Sequence, residues 1–511
     1  MRYEPDTPYT GLKAKPVISY DQQEPGEFSK AFFKFFNYIG VAFLILSSAF
    51  FAYEIANYGV TIGAIIMAGM AAIPIVYAVV AYPNIGIIIL LMFAYFIMFA
   101  LRIIKGAAPL GTLMDGLILL LVFGFFVKQK YEQNWKILKS PISTLIIVWF
   151  LYLIFQAANP TTEARMAWVY TVRGFAGVTL TYFIFTYYIR TVEFLRIIFK
   201  VWMLLSVFAA IYALKQEYIG FFQFEQDELN DPLVAQLLFI NGVWRKFSIF
   251  SDPVAFAYNM VISSIFCICM LRAAISRKAK FVYGAIAALC ITTMLYSGTR
   301  GAFVLIPSAM VLYVVMHINK KTLIFASVGT LLFLALINMP TSNVTLYRFQ
   351  SAFKPSDDAS FNVRKKNQKM IQPYIQTHPL GGGLGATGVW GVRFAPHSFL
   401  AQFPPDSGYV RVAVELGSIG ILIFCSLMFT ILRQGIRNYY QIKDPELKIY
   451  CLAMTLVIFA LNIGNYPQEA LVQFPTNIYF YLFVAIINIT LRIDKEKNDI
   501  LPPVKPKLLI R

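Results

Sequence analysis

A succession of long apolar runs with little charge inside them constrains this chain more than anything else. The runs fall at approximately 37–54, 59–80, 84–101, 110–127, 142–158, 172–189, 196–216, 252–271, 279–296, 301–316, 321–338, 407–432, 449–464 and 475–491. About 20 apolar residues suffice for an α-helix to cross the hydrocarbon core, where each backbone polar group must be satisfied within the segment. The runs are continuous and lack the period-two alternation of a membrane β-barrel. With 58% hydrophobic and 14% charged residues, the chain has too little polar surface for a soluble fold. The sequence therefore predicts an all-α polytopic membrane protein with about 12–14 spans, and a re-entrant pair fits among the first few.

The same runs set the organisation. Residues 1–36 read as a polar tail and the start of an interfacial helix, where Phe28, Phe32, Phe33, Phe35 and Phe36 surround Lys30 and Lys34. No short apolar segment with a cleavage site opens the chain, so no cleavable signal peptide is expected. A transmembrane bundle over 37–338 carries one long loop at 217–250. A larger loop follows over 339–406, then C-terminal spans over 407–491 and a basic tail over 492–511. Lys and Arg crowd the connections on one side, including KQKYEQNWKILK and RQGIRNYYQIKDPELK. The positive-inside rule puts that side, with both termini, in the cytoplasm, and both long loops outside. Most of the net charge of +18 is then explained without nucleic acid. All five cysteines lie in apolar runs and read as small buried hydrophobes, with no disulfide framework and no metal-ligand spacing.

The candidate chemistry gathers on the outer side. Between about 377 and 420 the chain reads THPLGGGLGATG, then VWGVRFAPHSFLAQFPP, then DSGYVRVAVELGSIGIL. Just before it, SFNVRKKNQKMIQPYIQ predicts an amphipathic helix. Ser360 is its expected cap, Asp357 and Asp358 lie at its positive end, and Phe361, Met370, Ile371, Tyr374 and Ile375 form its apolar stripe. Arg173, Arg245, Lys246, Arg300 in YSGTRGAF, Arg364 and Arg411 are outer-side cations that orientation does not explain. Charges at membrane depth usually face a cavity or a partner, and several together suit an anion such as phosphate or diphosphate.

Most of these residues have a structural alternative, and the RKKNQK run that holds Arg364 could be just a solvated helix face. Arg300 could snorkel to headgroups. Arg245 and Lys246 could pair with the acidic loop before them. Arg411 and Glu415 could be an i,i+4 helix pair, and Asp406 only an N-cap. His397 and His378 could be loop histidines, and His317 stands at the cytoplasmic edge with no expected partner. Gly381, Gly382, Gly383 and Gly385 imply sharp turns or close backbone approach, and lack the lysine and helix of a phosphate loop. Glu54, Asp115 and Glu469 read as isolated interfacial carboxylates.

The turn YSGTRGAF, the large loop leading into THPLGGGLG, and DSGYVRVAVELGSIGIL together resemble the O-antigen ligase and O-antigen polymerase superfamily over about 160–490, with a core at about 290–425. The resemblance implies a bacterial inner-membrane glycosyltransferase of surface polysaccharide (lipopolysaccharide) biosynthesis. Such an enzyme moves a glycan from an undecaprenyl-diphosphate carrier to an acceptor hydroxyl on the periplasmic face, with no metal and no cofactor. The acceptor is lipid A–core for ligases and another repeat unit for polymerases. On this view Arg300 and Arg245 clamp the diphosphate, with Arg364 and Arg411 as secondary anion contacts. Family ligases carry a histidine just ahead of the helix that here reads YVRVAVELGSIG, and Asp406 holds that position, with His397 further upstream in PHSF. Asp406 or His397 is thus the expected acceptor activator, and Arg300 the catalytic cation. Two other readings stay open: a transporter or flippase of lipid-linked or anionic substrates, and a non-catalytic assembly subunit. A transporter should show polar or broken helices near mid-membrane and often inverted repeats, and no repeat is evident.

Overall fold

The computed structural model describes residues 74–105, 109–240, 242–342, 344–353 and 359–500, with short pieces between 41 and 56. The chain divides into two units, Met1–Ile75 and Val76–Arg511. The described residues of the first unit are helical. The N-terminal tail and interfacial start, most of the runs 37–54 and 59–80, and the tail beyond 500 lie outside the described residues.

The second unit contains α1 Pro83–Ile103, α2 Leu110–Glu132, α3 Pro141–Phe155, α4 Arg165–Val172, α5 Val178–Tyr188, α6 Val192–Tyr218, α7 Gln223–Leu229, α8 Pro232–Leu238, α9 Pro253–Ala273, α10 Arg277–Tyr296, α11 Arg300–Phe303, α12 Leu305–Met316, α13 Lys320–Asn338, α14 Val344–Ser351, α15 Ala359–Thr377, α16 Gly388–Phe394, α17 Gly408–Gln441, α18 Pro445–Gly464 and α19 Thr476–Ile500. A π turn, Arg173–Gly177, joins α4 to α5. A small antiparallel hairpin, β1 Phe239–Ile240 with β2 Val243–Trp244, precedes α9. Among the described residues ten helices are long and apolar enough to cross a membrane, and the apolar helix Arg300–Met316 is shorter. The protein is an all-α polytopic membrane protein.

The spans begin where the sequence supplies a cap. Ser140, Thr191, Asp252, Ser276, Asn319 and Asp444 each accept a backbone N–H from the first turn of the helix that follows. Proline occupies the first turn at Pro141, Pro253 and Pro445, where its missing N–H costs no helical bond. The centre of the bundle is α9, which is buried nearly all round. It packs on α10 and α18, while α18 also packs on α12, α17 and α19. With no water at this depth, buried polar side chains find one another. Tyr95 bonds Ser206 at 2.9 Å, Ser206 bonds Ser263 at 2.8 Å, and Asn259 donates to Thr476 Oγ1 at 3.1 Å. Cys267, Cys269, Cys290 and Cys451 are buried as expected, whereas Cys425 is exposed on the outer surface of α17.

Three expectations need correction. Arg173 does not open a span: the helix starts eight residues earlier, at Arg165, and Arg173 begins the π turn inside it. There its NH1 lies 3.5 Å from Asp115 Oδ2, so that carboxylate is not isolated. The large loop 339–406 holds α14 and α16 as well as the anticipated α15. On α15, Met370 is exposed, and the stripe that packs is Ile371, Tyr374 and Ile375, set against Ala386, Leu400, Phe403 and Val414.

Candidate functional site

The site is built around the turn between α10 and α11. Gly298 adopts φ +58, which lets the chain reverse within a few residues. Arg245, just past β2, braces this turn. Its Nε donates to Ser297 O at 2.9 Å, and one NH2 hydrogen goes to Thr299 Oγ1 at 3.0 Å. The next residue, Lys246, behaves differently: its Nζ lies 3.1 Å from Glu217 and is buried. The acidic-loop alternative therefore holds for Lys246, and Arg245 is left facing backbone and hydroxyl oxygens.

A third arginine completes the group. Arg348 on α14 lays its guanidinium over Gly298, where an added Cβ would meet Arg348 Cζ at 2.9 Å. Burial, with the charges of Arg348 and Arg300 nearby, pushes the Arg245 pKa down to about 10, against the pull of Asp252. Burial and Arg300 likewise lower that of Arg348. The carboxylate of Asp252 is already used as the α9 cap, accepting from Val254 N at 2.7 Å and Ala255 N at 3.0 Å. Arg245 and Arg348 are thus partly desolvated beside the like charge of Arg300. That arrangement costs folding energy and is relieved by a bound anion.

Arg364 on α15 is close enough to Tyr258 to act on it electrostatically, and Tyr258 lies against Gly301 in α11. One turn further along α15, Asn367 Nδ2 donates to Asp406 Oδ2 at 3.1 Å. Ser407, and not Asp406, caps α17, accepting from Val410 N at 3.5 Å. Asp406 therefore keeps an exposed carboxylate beside the mouth of the helix. The loop between α18 and α19 closes the circle. Pro467 packs on Gly301, and the oxygens of Asn465 and Gln468 both accept from Gly408 N. Arg245, Arg300, Arg364 and Asp406, singled out from the sequence, surround this one region together with Arg348.

The other candidates go elsewhere. Arg411 is buried between two carboxylates, Glu415 Oε1 at 3.2 Å and Glu469 Oε2 at 2.6 Å. The helix-pair alternative therefore describes it, with Glu469 as an added partner that the sequence had left isolated. Burial pushes the Glu469 carboxyl up against the opposing pull of Arg411. Glu415 in turn accepts from Gly385 N at 3.0 Å, Thr387 N at 3.3 Å and the Thr387 hydroxyl. Arg411→Ala would leave Glu415 and Glu469 uncompensated and should cost about 3–5 kcal/mol of stability. The check is the melting temperature of the purified protein, and an unchanged value would remove this structural assignment.

His397 is exposed on the 395–400 turn, and among the described residues no hydrogen bond or ion pair joins its side chain to the arginines. His378 stacks on Tyr374 with ring centroids 4.0 Å apart. His317, expected to stand alone, has its Nε2 2.5 Å from the Tyr439 hydroxyl.

The glycine-rich loop locks the far wall. Inside α17, Gly417 leaves helical geometry at φ 70 and ψ −169. Gly382 N and Gly383 N donate into this break, to Val414 O and Glu415 O, each at 2.9 Å. At Gly381 (φ +72) a Cβ would run into Gly417 N and Glu415 O, and at Gly417 into Pro379 O and Gly381 N. Asn159 Nδ2 holds the outer edge through Leu380 O at 3.1 Å and Gly381 O at 3.2 Å. The loop is a backbone interlock and not a phosphate cradle.

Residues 285–425 match the family model described as O-antigen ligase. The matched segment includes Arg300, Arg348, Arg364, Asp406, Arg411 and the glycine loop, and excludes Arg245 and Glu469. It supports the O-antigen ligase/polymerase superfamily and, in general terms, a membrane glycosyltransferase. Comparison with curated proteins gives no match.

Proposed function

We propose that this chain, with its O-antigen ligase segment at 285–425, transfers a glycan from an undecaprenyl-diphosphate carrier to an acceptor hydroxyl on the periplasmic face of a bacterial inner membrane. The observation that carries the reading is the cluster of Arg245, Arg300 and Arg348 around one turn, with Arg245 depressed to about 10 by burial and its neighbours. A diphosphate ester is the anion that needs such a cluster when its glycosidic bond breaks. The acceptor oxygen attacks the anomeric carbon, the bond to the diphosphate oxygen breaks, and the electron pair leaves with the diphosphate. Preorganised guanidiniums stabilise that growing charge without first having to reorient, and they supply the positive field a divalent ion provides elsewhere. Arg364 adds a cation from the side of the large loop.

The acceptor proton goes to Asp406. Its carboxylate is exposed, oriented by Asn367 at 3.1 Å, and carried on the same wall that α15 and the 465–475 loop share. Arg411 and Glu469 act as positioning residues that keep this wall in register. The acceptor is a glycan or lipid A–core hydroxyl presented at the membrane surface.

The test compares Asp406→Asn with His397→Ala in a transfer assay using a polyisoprenyl-diphosphate-linked glycan. Loss of a positioned base costs about 10²–10⁴ in rate. Asp406→Asn should show a drop of that order while His397→Ala keeps the wild-type rate. The reverse pattern would reassign the base. Lipid-linked substrate crossing vesicles with no new glycosidic bond would replace transfer with transport.

A further inference from the structure

α13 packs little against its neighbours along most of its length. Only 6% of its membrane-length window is buried, against 83% for α9. The gap between α12 and α13, floored by α9 and α18, is a cavity of 1080 Å³. That is at the upper end of ligand pockets, which run to roughly 1,000 Å³. Its walls are apolar through Ile268, Met310, Val314, Phe333 and Leu452. Gly329 faces it with open space where a side chain would stand. Along α12 it extends from Ile306 to Val315, about 13 Å at 1.5 Å per residue.

One end of this groove is charged. Arg272, at the last turn of α9, and Lys321, at the first turn of α13, line it beside Asn319 and Thr322. The Arg272 guanidinium lies 5.1 Å from the Tyr313 ring centre, and Lys448 lies 5.0 Å from that of Tyr439. Among the described residues no ion pair involves Arg272, Lys321 or Lys448; the nearby carboxylates of Glu446 and Asp444 are taken by Arg196 and Lys497. His317 sits between the two tyrosines. Burial, Arg272 and Lys448 lower its pKa, so it is neutral near pH 7 and adds no charge of its own.

We propose that this groove is a binding site for an anionic phospholipid, with the phosphate at Arg272 and Lys321 and an acyl chain running along α12 toward Ile306. Three observations fit that occupant together. Unpaired cations meet an anionic headgroup, tyrosines sit where headgroup and chain join, and the slot is apolar over roughly the hydrocarbon depth of one leaflet, about half of a ~30 Å core. Its charged end lies at the opposite end of α12 from the arginine turn, and the proposal does not depend on the transfer chemistry. Its occupant fills the gap that α13 leaves and so holds α12, the helix that continues from Arg300, against lipid instead of protein.

The experiment is native mass spectrometry and lipid extraction of the full chain purified in mild detergent with added phosphatidylglycerol and phosphatidylethanolamine. The wild type should retain about one phosphatidylglycerol per chain. Arg272→Ala/Lys321→Ala should reduce that retention at least ~10-fold, the scale of two lost surface charge contacts at about 1 kcal/mol each. Gly329→Leu, whose Cβ would stand in open space, should reduce it as well. Equal retention of the zwitterionic lipid, a polyisoprenyl lipid in its place, or retention unchanged in both variants would each overturn the proposal. Transfer activity is not the readout, so failure here is distinct from failure of the glycosyltransferase reading.

Discussion

Arg300→Ala should lower the rate of glycan transfer by about 10²–10³-fold, the cost of removing one preorganised contact to charge developing in a transition state. Of the clustered arginines, Arg300 is tested first because it opens the short helix that follows the turn. Arg245 also braces the turn through Ser297 O and Thr299, so its removal loosens the scaffold as well as the charge. Arg348 packs on Gly298 and would leave space there. The measurement is initial rate with a polyisoprenyl-diphosphate glycan donor, at matched protein level and melting temperature. Arg300→Lys should recover part of the loss, because lysine restores the charge without the planar fork that engages two phosphate oxygens at once. A wild-type rate in Arg300→Ala would end the diphosphate-clamp assignment.

Gly417→Ala is expected to be strongly destabilising, on the scale of Arg411→Ala. The residue holds φ +70 inside a spanning helix, and a methyl group would collide with Pro379 O and Gly381 N, both backbone atoms that cannot rotate away. Such strain at a buried crossing costs about 3 kcal/mol or more. The melting temperature should fall by many degrees, and the yield of folded protein with it. Gly116→Ala serves as the control, since its Cβ would meet open space on α2. There the change should be neutral or stabilising by up to about 1 kcal/mol. Equal behaviour of the two variants would mean that the interlock is not rigid.

Much of the architecture was legible in the sequence because burial in a bilayer is a local signal. The run at 252–271 became Pro253–Ala273, and 279–296 became Arg277–Tyr296. What stayed hidden was pairing across distance. Nothing in Arg245 and Lys246 says which meets Glu217 and which meets Ser297. Glu469 looked isolated because its cation, Arg411, lies 58 residues away. Arg348 sits in VTLYRFQS, a segment with no pattern that marks it, and only the fold lays it over Gly298. The glycine run was read correctly as a place of close backbone approach, yet the backbone it approaches is the break at Gly417, whose own glycine looked like an ordinary residue of an apolar helix.

The interlock also has a consequence for biogenesis. It joins three stretches, 156–162, 379–385 and 414–419, that leave the ribosome far apart in time. The loop strand cannot seat until both the third and the seventeenth helices are in the bilayer, since its carbonyls are claimed by Asn159 and its amides by Val414 and Glu415. The wall bearing Asp406 is therefore completed only after the surrounding spans have assembled. A nascent or half-inserted chain therefore carries the arginines before that wall is finished.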